Sequence, residues 1–287
     1  MAINFFTWNV KNNNNSVFYS DLNKELILQG IDILVLQECS MKYPITNLSD
    51  FDEIPEFVAE KGKKYVRVFL NKNSKIAYSY PVSYLNNKIK CLKIKTYNGN
   101  EFNIIGVHLY SKVGKTSSNQ DLDNLPVRIH IDEYQALVKN DKTVILGDFN
   151  YHPFEANMLH PKFLNALNDK HLITALKTRK GRAFDVKYYY NPMWNLLGDF
   201  DYQTGGYKIS GTYYWVPKDI KNYPWNLFDG VILSPEIMNE LDMKSLKVIT
   251  KISTNELVKS IPYTSSGSLL HYGHSDHLPI KFNLNII

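Results

Sequence analysis

Gly147-Asp148-Phe149-Asn150 and Ser275-Asp276-His277 carry the residue types with the most direct chemistry in this chain. An acid beside an amide can take a proton from water and hold that water in place, and an acid beside an imidazole can orient a charged donor. Metal-assisted phosphoryl hydrolysis needs such parts. Gly147 lets the backbone approach closely ahead of Asp148, and Asn150 adds a donor and an acceptor two residues on.

The same placement recurs along the chain. The run Phe5-Phe6-Thr7-Trp8 ends at Asn9, Ile33-Leu34-Val35-Leu36 ends at Gln37-Glu38, Ile104-Ile105-Gly106-Val107 ends at His108, and Val144-Ile145-Leu146-Gly147 ends at Asp148. Asp229 and Asp276-His277 precede their apolar runs instead. Ligands of open α/β sheets sit beyond the carboxyl ends of parallel strands. A group at the start of a strand reaches that edge only if the strand runs antiparallel, so the sheets must be mixed. Singly, Asn9 reads as a turn former, while Glu38 suits a surface position and His108 a hydrogen-bonded core histidine as well as either suits a functional site. Their joint occurrence at strand ends in both halves favours a functional site.

The elements that must position these groups follow from periodicity. Residues 3–10 read as a strand and the Asn tract 12–15 as a loop. Ser16 is expected to cap a helix with Val17, Leu22, Leu26 and Ile27 near one face, stopped by Gly30. Residues 31–36 form a strand buried on both faces, and strands follow at 65–70, 75–80, 88–95 and 102–107, with hairpin turns at Asn86-Asn87 and Asn98-Gly99. A helix over 127–139, a buried strand over 143–146 and a helix over 161–167 come next. Strands at 184–190, 212–215, 228–233, 246–251 and 278–284 complete the order. Helix, buried strand and meander thus occur twice. This implies two similar halves meeting near residues 110–130, packed sheet against sheet with helices outside. No Pro/Gly/Ser-rich linker divides them, so residues 1–287 are expected to be a single catalytic domain, with 111–124 a polar loop.

The 287 residues are 44% hydrophobic, enough for a sizeable core. Lys and Arg number 33 against 28 Asp and Glu, and the net charge of +5 suits an anionic ligand without implying nucleic-acid binding by bulk charge. Cys39 and Cys91 each lie in or beside apolar runs and read as buried free thiols. No run approaches roughly 20 apolar residues and no export signal is visible, so the expectation is a soluble cytoplasmic protein without a membrane span.

Between Asn150 and Asp229 the chain mixes a basic run, Lys177-Thr178-Arg179-Lys180-Gly181-Arg182, with Tyr188, Tyr189, Tyr190, Trp194, Tyr207, Tyr213, Tyr214, Trp215 and Trp225. Such interleaving can track a phosphate backbone and stack bases, although the charges equally suit a solvated turn and the rings a packed core. Arg179, Trp215 and, on the helix after residue 124, Arg128 are the candidate substrate contacts.

Taken in order, Trp8-Asn9-Val10, Leu36-Gln37-Glu38, Val107-His108-Leu109, Gly147-Asp148-Phe149-Asn150, Phe228-Asp229-Gly230 and Ser275-Asp276-His277-Leu278-Pro279 resemble the motifs of the endonuclease/exonuclease/phosphatase (deoxyribonuclease I-like) superfamily. The resemblance runs from residue 8 to residue 279. It implies an α/β fold of two mixed β-sheets packed face to face with helices outside, a four-layer αββα sandwich of two pseudo-symmetric halves. It also implies Mg²⁺ or Mn²⁺ held by Glu38 with Asn9 and Asp276, and Asp148 accepting a proton from the attacking water while Asn150 fixes the geometry. His277, oriented by Asp229, would bond the scissile phosphate from one side and His108 from the other. Asp276 as second ligand or as support, and one metal or two, stay open. The implied activity is divalent-metal-dependent phosphodiester hydrolysis, with DNA or RNA as the expected substrate. The alternatives are a phosphatase or phosphodiesterase acting on a small or lipid phosphate ester, and a catalytically inactive binding protein. Phe228-Asp229-Gly230, where inositol polyphosphate 5-phosphatases carry cysteine-aspartate-arginine, argues against that subfamily.

Overall fold

The computed structural model describes residues 2–40, 45–57, 66–114, 116–181, 185–201, 204–215, 224–258 and 275–286. Tyr65, Arg182 and Phe184, assigned above to strand ends and to the basic run, lie outside them. The first half holds β1 (Ala2–Asn9), α1 (Ser16–Leu28), β2 (Ile33–Gln37), β3 (Phe51–Glu53) and β4 (Arg67–Asn71). It continues with β5 (Ile76–Tyr84), β6 (Ile89–Thr96) and β7 (Glu101–His108). After α2 (Ser117–Asn124) and α3 (Pro126–Val138) come β8 (Thr143–Asp148), β9 (Ala166–Leu167), β10 (Tyr189–Tyr190), β11 (Asp229–Leu233), β12 (Lys247–Val248) and β13 (Ile280–Asn285).

These strands make a six-stranded sheet, β12-β13-β1-β2-β4-β3, and a seven-stranded sheet, β5-β6-β7-β8-β11-β10-β9. Both are mixed. In the first, β1 and β2 run parallel while β13 and β4 flank them antiparallel. In the second, β7 and β8 run parallel while β6 and β11 flank them antiparallel. These two parallel pairs are each joined through helix, α1 in one half and α2 with α3 in the other, which is the repeated order the sequence suggests.

Strand alternation sorts the core into layers. Ile3, Phe5, Ile33 and Val35 pack against Leu92, Ile104, Val144, Leu146 and Val231 of the other sheet, forming the inner core. Their neighbours Phe6, Trp8, Leu34 and Leu36 face α1, through Phe18, Tyr19, Leu22 and Leu26. On the far side Ile105, Val107 and Ile145 face α3, through Val127, Ile131 and Tyr134. The result is helix, sheet, sheet, helix. The sheets come so close at Gly106 that a Cβ there would meet Val66 at 2.9 Å and Val35 at 3.0 Å.

Several local expectations are corrected. Asn15, rather than Ser16, caps α1 by accepting from the Val17 amide, and Phe18 and Tyr19 face the core while Val17 and Ile27 are exposed. Residues 161–167 do not form a helix. Asn165 adopts a left-handed φ of 47° and its amide nitrogen donates to the Lys187 carbonyl, while Ala166 and Leu167 pair with Tyr189 and Tyr190, so sheet pairing overrides helix propensity. The 111–124 segment is not all loop, because Thr116 caps the helix α2. Among the described residues no helix is long and apolar enough to cross a membrane.

Candidate active site

Asn9, His108, Asp148 and Asp229 share strand parity with the inner-core residues Phe5, Ile104, Leu146 and Val231. Alternation therefore points them into the seam between the sheets, at the end where the parallel pairs finish. All four are buried. Asp148 and Asp229 stand directly opposite each other on the antiparallel strands β8 and β11, and His108 stands opposite Asp148 across the parallel pair.

The polar contacts form two adjacent groups, one around Asp148 and one pairing Asp229 with His277. Asn9 Nδ2 donates to Asp148 Oδ2 at 2.9 Å and lies 3.5 Å from Glu38 Oε1. The Lys11 amide donates to Asn9 Oδ1 at 3.0 Å, which fixes the amide orientation because an N–H must face the oxygen. His108 Nε2 lies 3.5 Å from Glu38 and 3.9 Å from Asp148. The Asn150 amide donates to Asp148 Oδ1 at 2.9 Å, and Asn150 Nδ2 donates to the Leu109 carbonyl at 3.0 Å. Asp229 Oδ2 and His277 Nδ1 are 2.7 Å apart.

The backbone is strained where these groups are displayed. Glu38 and Asn150 have φ of 49° and 55°. Each left-handed non-glycine residue costs on the order of 1–2 kcal/mol, small beside the ~1.5–3 kcal/mol for burying each apolar side chain of β2 or β8. Gly147 has φ of 135°, and a Cβ there would run into the Val107 carbonyl, so the tetrad needs glycine at this position.

The strand β13 begins after His277, which is held from several directions. Its carbonyl accepts from Trp8 Nε1 at 2.8 Å, its amide donates to Ser275 Oγ at 3.0 Å, and Ser275 Oγ donates to the Asn9 carbonyl at 2.5 Å. Thr212 Oγ1 accepts from the Phe228 and Asp229 amides, and the Leu278 amide donates to the Thr212 carbonyl, tying β11 to the His277 segment. Neither Thr212 nor Ser275 was singled out from sequence as a site residue, since a lone hydroxyl carries no periodic signal.

Burial, and then the charge of Asp229, push the Asp148 carboxyl above the usual carboxylate range, while His277, His108 and Asn9 pull it back. Burial opposes charge on His277, but Asp229, Asp148 and Asp276 push its pKa up to about 10, so the imidazolium is the resting form at neutral pH. Glu38, Asn9 Oδ1 and Asp276 are hard oxygen donors of the kind a divalent cation prefers. Asp229 Oδ1 is a buried acceptor with no hydrogen-bond partner among the described residues, and Asp148, Asp229 and His277 offer ligand atoms within 4.8 Å of one another. The donor set fits a divalent ion.

A family model described as Endonuclease/Exonuclease/phosphatase family matches residues 6–245. The chain belongs to this family. Endonuclease/exonuclease/phosphatase proteins are phosphoester hydrolases. Among solved structures, the chain is similar to an endonuclease/exonuclease/phosphatase family protein from Bacteroides thetaiotaomicron, at 14% identity and a TM-score of 0.64, covering 99% of this chain and 95% of that one. A mannosyl-6-phosphatase from the same species gives 14% identity and a TM-score of 0.59, covering 98% of each chain. TDP2 of D. rerio, complexed with a single-strand DNA product, gives 14% identity and a TM-score of 0.55, covering 99% of each. No curated protein matches the chain.

The remaining candidate contacts of this family member fall in different places. Arg128 is only 7% exposed; its Nε donates to Asp132, its Nη1 to the Lys187 carbonyl, and its guanidinium lies over the Tyr189 ring. Arg179 is exposed on a two-residue strand, Thr178–Arg179, paired with Val186–Lys187. Trp215 is half exposed, two residues from Tyr213, whose ring lies 4.9 Å from that of His277. Asp276 pairs with Lys11 at 2.7 Å.

Proposed function

We propose that this protein is a divalent-metal-dependent phosphodiesterase that cleaves nucleic acid with accessible bases, acting as one catalytic unit over residues 1–287. Asp148, raised in pKa by burial, accepts the proton of the attacking water, and Asn150 holds the Asp148 carboxylate in place through its backbone amide. His277 donates to the phosphate oxygens from a position set by Asp229, and His108 approaches from the Glu38 side. A cation held by Glu38, with Asn9, would supply positive charge to the phosphate. His277 Nδ1 is already engaged by Asp229 Oδ2 at 2.7 Å, which favours the hard oxygens at Glu38 over the Asp148, Asp229 and His277 group as the cation site.

The observation that carries the substrate class is a run of rings starting at the catalytic imidazole. Tyr213 lies against His277 at 4.9 Å, Phe228 stacks on Tyr213 at 5.8 Å, His152 meets Phe228 at 5.3 Å, Phe154 stacks on His152 at 4.8 Å, and Trp194 meets Phe154 at 6.2 Å. Phe154 is 49% exposed. A run of partly exposed rings that leads from a phosphate site to the exposed Phe154 suits stacking of a base there. The test is a side-by-side comparison of single-stranded and duplex DNA, RNA, sugar phosphates, inositol phosphates and sphingomyelin. Preference for single-stranded nucleic acid supports the reading, and preference for a sugar or lipid phosphate overturns it.

A further inference from the structure

We infer that Lys11 supplies the positive charge at Asp276, so that the centre takes one divalent ion, on Glu38, with the Lys11 ammonium standing where a second ion would otherwise bind. The inference rests on the metal-dependent reading above and concerns how many ions the site holds.

Three observations converge on Lys11. Its Nζ lies 2.7 Å from Asp276 Oδ2. Its backbone amide donates to Asn9 Oδ1, so the lysine is anchored to the amide beside Glu38 and Asp148. Lys11 and Asn12 are also consecutive left-handed residues, with φ of 46° and 55°, a conformation L-residues avoid unless the surroundings hold it.

Those surroundings are on the metal side. The Asn12 amide donates to the Glu38 carbonyl at 2.7 Å, Asn12 Nδ2 donates to Glu38 Oε2 at 3.1 Å, and Ser40 Oγ donates to the Asn12 carbonyl at 2.9 Å. The hook formed by residues 9–12 is thus pinned to Glu38 at one end and delivers an ammonium to Asp276 at the other. A divalent ion on Asp276 would have to break that pair and sit beside a fixed like charge, whereas one on Glu38 need not disturb it.

The experiment counts Mn²⁺ ions bound per chain, by calorimetry and by electron paramagnetic resonance, without substrate. The wild-type protein is expected to bind one ion, and Asp276→Asn should change its affinity less than threefold. Lys11→Met should either add a second ion or tighten binding at least tenfold, Lys11→Arg should retain one ion at wild-type affinity, and Lys11→Met with Asp276→Asn should lose the gain. Circular dichroism and thermal melting check that each variant folds. Two ions in the wild-type protein, a large loss of affinity in Asp276→Asn, or unchanged binding in Lys11→Met would overturn the inference and leave metal dependence standing. No bound ion at all would overturn the metal-dependent reading together with it.

Discussion

Asp229 Oδ2 lies 2.7 Å from His277 Nδ1, with both side chains buried and Asp148 directly opposite Asp229 on the neighbouring strand. Two carboxylates and one imidazolium share a site nearly closed to water. The contribution of this group of charges to stability therefore depends on pH.

Asp229→Asn keeps the shape of this contact and removes its charge. The kcat is expected to fall by about 10²–10⁴, with far-UV circular dichroism unchanged, because the donor is no longer held charged and oriented. The folded pKa of His277 is raised above its ordinary 6.5 to about 10. Its contribution to stability is therefore fully present below about 6.5 and is lost as pH rises through about 10. Urea denaturation of the metal-free protein should show that decline between these values, and Asp229→Asn should flatten it.

Gly147→Ala should destabilise the protein by about 3 kcal/mol or more. Both the φ of 135° and the Val107 carbonyl oppose a Cβ there. Denaturation midpoints measure the effect, and a loss below about 1 kcal/mol would mean the strand end relaxes freely.

Phe154→Ala removes an exposed ring that stacks on His152 and leaves Asp148, Asp229, His108 and His277 in place. With a single-stranded oligonucleotide KM should rise about tenfold, since stacking contributes ~1–3 kcal/mol per base. Turnover of a small aryl phosphodiester should stay within twofold of wild type. Equal losses on both substrates would remove the argument for base stacking.

Arg128→Ala should lower stability by about 1–3 kcal/mol, through the lost bond to the Lys187 carbonyl and the lost packing on Tyr189, while kcat/KM stays within twofold. Thermal melting and steady-state kinetics separate these outcomes. A tenfold loss of kcat/KM with unchanged melting would instead make Arg128 a substrate contact.

Much of the candidate cluster was legible because each polar group terminates or precedes an apolar run, and strand alternation then fixes the face of those within strands. Asn9, His108, Asp148 and Asp229 meet in one cluster for that reason. Glu38, which has the parity of the α1-facing Leu34 and Leu36, instead joins them through its left-handed φ, and His277 through the bonds that hold its segment. The mixed sheets and the repeated parallel pair follow from the same pattern. The role of the Asn tract was not legible. Whether Lys11 and Asn12 turn left-handed depends on Glu38, which is distant in sequence. Two-residue strands such as Ala166–Leu167 give no periodic signal and owe their existence to edge pairing. Arg128 has the charge of a phosphate contact, but helical spacing cannot reveal that Asp132, Lys187 and Tyr189 already engage it.

The central claim is water attack on a phosphodiester with Asp148 as proton acceptor. Single-turnover cleavage of an end-labelled single-stranded oligonucleotide in ¹⁸O-water, with Mg²⁺, tests it most directly in wild-type protein and Asp148→Asn. The account predicts ¹⁸O in the new terminal phosphate and a rate at least 10²-fold lower in the variant. No cleavage by the wild-type protein, or equal rates in the two proteins, would contradict it.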